Sequence, residues 1–296
     1  MTDPVRPAAT PPRTAAPGAA RTAGSIAGLV LLFIAGFFVY LYGLSHASEA
    51  RAQAGMFKNF AAQLQLGTAP VTPSTTGKKG KTIPLAERTP VAVLNIPQIG
   101  LRDVVVVEGT SSRDLALGPG HVAASALPGQ AGVSFIYGKD VTYGAPFAHL
   151  MRLNRGDRFT VTTGQGTATY VVESFGTSDR PAPADAGNRL VLETAASSLL
   201  PGSAVQVSAD LVSPPQANPG DWPPVTGQQT EMAVDTEDSL VPLMLWSQAL
   251  LLAVIAATVA AHRWSRWGTY LLMTPVVMAL LWCVYENLAC LLPNLY

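Results

Sequence analysis

The sequence predicts an all-β domain, closing into a small barrel and carried by three transmembrane α-helices. Two features predict it. Between Val91 and Leu211, short β-branched runs alternate with Gly- and Pro-bearing turns, a pattern of strands rather than helices. Elsewhere the apolar residues gather in three long blocks, each about the length that crosses a bilayer as a helix. That clustering explains how a chain that is 48% hydrophobic carries only 13% charged residues. Formal net charge is zero, so no bulk field directs the chain to nucleic acid or to an acidic surface.

Residues 1–24, rich in Pro, Ala, Thr and Arg and without hydrophobic periodicity, read as a disordered tail. Residues 25–45 hold the first span, from Ile26 to Leu44; its length favours an uncleaved anchor over a signal peptide, although Ser45-His46-Ala47 is a tolerable cleavage context. Met56, Phe60 and Leu64 recur at helical spacing, so 46–66 is read as a helical stalk. Residues 67–88 form a linker with little to bury, and its Lys78, Lys79 and Lys81 suit either solvent or an anionic polymer.

The barrel is assigned to 89–212. Its predicted strands are Val91–Ile96, Val104–Val107, Val133–Tyr137, Phe159–Thr163, Thr167–Val172, Arg189–Leu192 and Ala204–Val207. Pro97 lacks the N–H a ladder needs and ends the first of them. A second linker, 213–238, leads to spans at 239–261 and 268–292, joined by the hairpin loop 262–267. Arg6, Arg13 and Arg21 before the first span, and Arg263 and Arg266 in the loop, place both segments in the cytoplasm. The central domain is then extracellular and the protein belongs in the plasma membrane. Both cysteines, Cys283 and Cys290, lie in the last apolar block; no disulfide and no metal-ligand cluster is available to the barrel, and no cofactor is implied.

A series of short motifs then gives a resemblance. Asn95-Ile96-Pro97-Gln98-Ile99-Gly100-Leu101, Val107-Glu108-Gly109-Thr110, Gly118-Pro119-Gly120-His121, Ala126-Leu127-Pro128-Gly129, Tyr143-Gly144-Ala145-Pro146-Phe147 and Arg155-Gly156-Asp157 follow one another over roughly 120 residues. In this order they resemble the sortases, the cysteine transpeptidases of Gram-positive cell envelopes, and particularly their actinobacterial class E and F members. The resemblance implies a sortase-like closed β-barrel. It also implies a cysteine nucleophile, a histidine that manages the leaving-group proton and an arginine that stabilises the oxyanion.

Carried onto this chain, those roles fall on residues that do not supply them. Ala195 stands in place of the cysteine after Leu190-Val191-Leu192-Glu193-Thr194, Lys139 in place of the histidine, and Ala204 close to the arginine's place. No Lys or Arg lies between Arg189 and Arg263. The chain therefore reads as a catalytically degenerate pseudo-sortase. Its expected role is to bind, with Lys139, Tyr143, Glu193 and Thr194 as candidate binding residues, and a sorting-signal peptide, an active sortase or another membrane protein as partner.

The competing reading is an enzyme that uses Lys139 as base for Ser134, Ser197 or Ser198, which requires a buried lysine and is opposed by the neighbouring Asp140. For Lys139 itself, a cation holding a carboxylate at the mouth of a groove and a solvent-facing lysine are both open. His121 and His149 read as structural or exposed, and Glu286 as an acid at the outer end of the third span.

Overall fold

The computed structural model describes residues 17–76, 82–123, 125–177, 187–196, 204–218, 236–263 and 266–292. The expected tail up to residue 16, the lysines of 78–81, Ser197, Ser198 and most of the second linker lie outside the described residues.

Helix α1 spans Pro17–Val39 and exposes Ile26, Leu29, Leu31 and Leu32, an apolar surface of the kind a membrane-spanning helix presents. A π-helical turn, Tyr40–Leu44, connects it to α2, Ser45–Leu66, which ends at Gly67 in the left-handed conformation. From Tyr40 onward the chain is one compact unit. Helix α2 does not stand away from the barrel as a stalk. Phe60 is fully buried, and with Met56 and Leu64 it packs on Val93 and Val105. The following segment is not an unpacked linker either: it holds a hairpin of β1 (Ser74–Thr76) and β2 (Thr82–Pro84), and Val71 accepts a hydrogen bond from the Gln130 amide at 2.8 Å.

All seven predicted strands form, most of them longer than expected: β3 (Pro90–Ile96), β4 (Leu101–Glu108), β6 (Val133–Tyr137), β7 (Arg158–Thr163), β8 (Gly166–Thr177), β9 (Arg189–Ala195) and β10 (Ala204–Leu211). An eighth, β5 (Gly120–His121), completes a closed barrel in the order β10-β8-β7-β3-β4-β5-β6-β9. Alternate residues of these strands fill one interior: Val91, Leu94, Ile96, Ile136, Phe159, Val161, Tyr170, Leu190, Leu192 and Val207 share the core. Tyr170 stacks on Phe159 with ring centroids 5.7 Å apart, and its hydroxyl accepts the Gly129 N–H at 2.7 Å, which fixes the loop before β6.

Strand β5 is too short to cover all of β4. Gln53 of α2 covers part of the remainder: its amide nitrogen donates to the Val105 carbonyl and its amide oxygen accepts the Val105 N–H, at 3.0 and 2.8 Å. After the barrel come α4 (Thr236–Arg263) and α5 (Arg266–Ala289). Three helical stretches, Gly24–Leu66, Leu240–Arg263 and Trp267–Ala289, are long and apolar enough to cross a membrane.

Candidate functional site

Strands β6 and β9 run parallel, with Tyr137 paired to Glu193, so both end on the same side of the barrel. Two residues beyond that pair lie Lys139, just past the end of β6, and Ala195, the last residue of β9; Ala195 faces Ala204 across the antiparallel β9–β10 ladder. The register thus brings Lys139, Ala195 and Ala204 to one end of the barrel. Ala195 and Ala204 join a small apolar cluster with Leu115, Val122 and Tyr137. Two methyl groups there offer no nucleophile and no charge.

Lys139 sits on a tightly specified turn. The Gly138 N–H donates to the Glu193 carbonyl at 3.0 Å, and the Thr194 hydroxyl donates to the Gly138 carbonyl at 2.7 Å. A side chain at 138 would collide with the Phe147 ring, a Cβ there lying only 2.4 Å from it. Glu193 accepts from the Gln206 amide at 2.8 Å. Two candidate binding residues, Glu193 and Thr194, therefore help to hold the turn, and both are buried, as is Tyr143.

The solvent-facing reading of Lys139 is wrong. The residue is 2% exposed, and its ammonium lies 5.5 Å from the centre of the Tyr143 ring, a cation–π arrangement. A lysine reaches this place because its long apolar stem packs like a hydrophobic side chain while the ring face receives the charge. Burial pushes its pKa down to about 8, against a smaller upward pull from Cys290.

Tyr143, Gly144 and Ala145 all have positive φ, at 50°, 77° and 45°. Two non-glycine residues in this region mark a strained turn that its surroundings must hold. The π-helical turn and α2 supply the hold. The Tyr143 and Gly144 N–H groups donate to Ser45 Oγ at 3.2 Å and His46 Nδ1 at 3.1 Å, and the Tyr143 hydroxyl lies 3.4 Å from that of Tyr40. Burial, then Tyr40, hold the Tyr143 phenol far above its ordinary pKa. Tyr40 is itself packed edge-on against Trp282 of α5 at 5.3 Å.

The end of α5 reaches the barrel as well: Arg113 donates to the Asn287 side chain at 2.9 Å. Cys290, one residue past α5, is buried and lines a cavity of about 310 Å³ together with Ser48, Arg88, Arg113, Tyr143, Trp246 and Glu286. Sequence reasoning missed this convergence; the signal it had was the pair of polar residues, Glu286 and Asn287, near the end of an apolar span.

His121 belongs to a separate cluster and is structural. Its Nδ1 lies 2.8 Å from Glu108, its Nε2 2.8 Å from the Ala126 carbonyl and 3.0 Å from Ser125 Oγ. A carbonyl only accepts, so Nε2 carries a proton and is no base for the serine. Burial opposes the charge, but Glu108 and the hydrogen bonds outweigh it and raise the His121 pKa. His149 and Glu286 are exposed. Among the described residues no group of His, Cys, Asp and Glu is arranged to hold a metal ion.

A family model described as a sortase domain matches residues 94–194. Sortase E from Streptomyces avermitilis is 31% identical over 42% of this chain and 88% of that one, with a TM-score of 0.37. Sortase E1 from Streptomyces coelicolor, solved with a tripeptide in the active site, is 26% identical over 42% and 88%, with a TM-score of 0.38. The Clostridium perfringens sortase D5 transpeptidase is 18% identical over 55% and 99%, with a TM-score of 0.44. No curated protein matches the chain. The domain match places a sortase domain at residues 94–194 of this chain, within the β-barrel.

Proposed function

We propose that this protein is a non-catalytic, membrane-anchored sortase-like module that binds cell-envelope proteins in an actinobacterial type of Gram-positive cell. In this reading the N-terminus is cytoplasmic and the barrel extracellular. The observation that carries the proposal is the chemistry at the common end of β6, β9 and β10: Lys139, Ala195 and Ala204 stand where the family resemblance calls for histidine, cysteine and arginine. Without a thiol at 195 no thioester forms there. The burial of Lys139, Tyr143, Glu193 and Thr194, with Tyr143 held by Tyr40 and Ser45, favours a partner membrane protein, an active sortase among them, over a sorting-signal peptide laid across these residues.

The serine–lysine alternative has one point in its favour, the lowered pKa of Lys139. Ser134, however, is the second residue of β6, the strand that Lys139 follows, and lies on the same face as Ile136, which points into the core. Thr194, beside the vacant position, has its hydroxyl engaged by Gly138.

The test uses the full-length protein in nanodiscs with a fluorogenic LPxTG-type peptide, followed by intact mass. The expected result is no cleavage above the protein-free rate and no acyl adduct. Cleavage, or an adduct at Ser134, Ser197 or Ser198, overturns the proposal.

A further inference from the structure

We propose that the cavity between the barrel and the helical hairpin is a binding site for a phosphate-bearing anionic ligand, such as the headgroup of an acidic lipid. The cavity holds about 310 Å³ and takes its walls from both structures: Arg88 and Arg113 of the barrel domain with Ser48 of α2 on one side, Trp246, Glu286 and Asn287 on the other. Its place along the hairpin sets the kind of ligand. At 1.5 Å per residue, the helix from Leu240 onward needs about 30 Å to cross the hydrocarbon, so Trp246 and Glu286 lie near the membrane–water boundary, at the end away from the Arg263–Arg266 turn. Lipid phosphates occupy that level, and a tryptophan at the boundary is usual.

The two arginines are arranged for an anion. Arg88 Nε is bound to Asp114 at 3.1 Å, and the other Asp114 oxygen accepts the Ser111 N–H and hydroxyl at the start of helix α3 (Ser112–Leu115). That pairing sets the orientation of the guanidinium and leaves its two terminal nitrogens without a partner among the described residues. A fork of this kind grips a phosphate through two parallel hydrogen bonds, which a carboxylate-saturated arginine cannot do. Arg113, donating to Asn287, fastens the barrel side of the cavity to the helix side. Glu286 supplies an acceptor on the opposite wall, suited to a hydroxyl of the same headgroup. The lining carries two positive charges against one negative. The inference rests on α4 and α5 crossing the membrane, and it is independent of whether the barrel acts on peptides.

Cys290 provides a reporter, because it lines the same cavity. The experiment takes delipidated full-length protein carrying Cys283→Ala, so that Cys290 is its single thiol. Binding of phosphatidylglycerol or phosphatidylcholine is read by native mass spectrometry, and the rate of Cys290 alkylation is followed with each lipid and with soluble glycerol 3-phosphate. Phosphatidylglycerol should be retained about tenfold more than phosphatidylcholine and should slow alkylation, and Arg88→Gln with Arg113→Gln should abolish both effects, while the exposed Arg158→Gln changes neither. Arg88→Gln alone, which leaves the Arg113–Asn287 bond in place, should reproduce most of the loss, so a folding defect in the double variant does not decide the matter. Protection by glycerol 3-phosphate as well identifies a soluble phosphate as a sufficient ligand; protection by the lipid alone identifies a membrane ligand. Equal retention of the two lipids, or protection that survives loss of both arginines, overturns the proposal.

Discussion

The barrel interior and the barrel end formed by β5, β6, β9 and β10 bury side chains to similar extents and do so by opposite means. Inside, Leu94, Ile136, Leu190 and Leu192 exclude water with apolar surface alone, and the alternation of the strands specifies them. At the end, Glu108, His121, Lys139, Tyr143 and Thr194 are equally hidden, but each is tolerable only through a named partner. The interior can therefore be kept while the chemistry of the end changes. In the proposed reading the end has so changed: it has methyl groups at 195 and 204, and Thr194 holds the turn at Gly138.

The comparison breaks most severely where a charge loses its partner. Glu108→Ala leaves His121, fully buried, facing a void, and is expected to cost about 3–5 kcal/mol, more than most substitutions in the interior. His121→Ala should cost a similar amount, and the double variant less than the sum of the two. Thermal unfolding of the full-length protein in nanodiscs measures each; additive losses would mean that the pair is not coupled.

An interior counterpart is Leu192→Ala, beside the site but pointing the other way. It removes a fully buried side chain from the core and is expected to cost about 2–5 kcal/mol. Because Glu193 and Thr194 keep their bonds to Gln206 and Gly138, alkylation of Cys290 below the unfolding transition should match that of the wild type. A faster rate would show that the interior and the end do not behave as separate regions.

How much of this the sequence disclosed follows the same division. The strands were legible either because a half-buried strand writes its period into neighbouring residues, as in Phe159–Thr163, or because a short β-branched apolar run is bounded by turns, as in Val91–Ile96. Strand β5 was not: Gly120 and His121 show no alternation, and what makes them a strand is pairing with Val107 on one side and Tyr137 on the other. That position 195 carries an alanine needed no structure to read. The docking of the hairpin was not, since it depends on a bond between Arg113 and Asn287, 174 positions apart. Lys139 was misread because a lysine is almost never buried without a partner, and its ring partner was visible only as the nearby Tyr143, not as a contact.

Lys139→Met is the variant that separates the two regions by sign. In the interior, truncation destabilises. Here, replacing the ammonium with an apolar chain of similar volume removes a desolvated charge and should stabilise. Burial holds the lysine pKa down to about 8 in the folded protein, against the ordinary lysine value of 10.5 when unfolded. Between those values the unfolded chain holds a proton that the folded chain has lost, so wild-type stability rises with pH there, and below about 8 the penalty is fully present. The shift corresponds to at most about 3 kcal/mol, from which the lost cation–π contact subtracts about 1. The variant should therefore unfold at a higher temperature than the wild type at pH 7, with the difference shrinking as the pH approaches 10. The raised phenols of Tyr143 and Tyr170 are common to both proteins and largely cancel in that difference. A variant less stable at pH 7, or an advantage that does not change with pH, would mean that Lys139 is paired more strongly than its ring contact accounts for, and the contrast between interior and end would have to be redrawn around that partner.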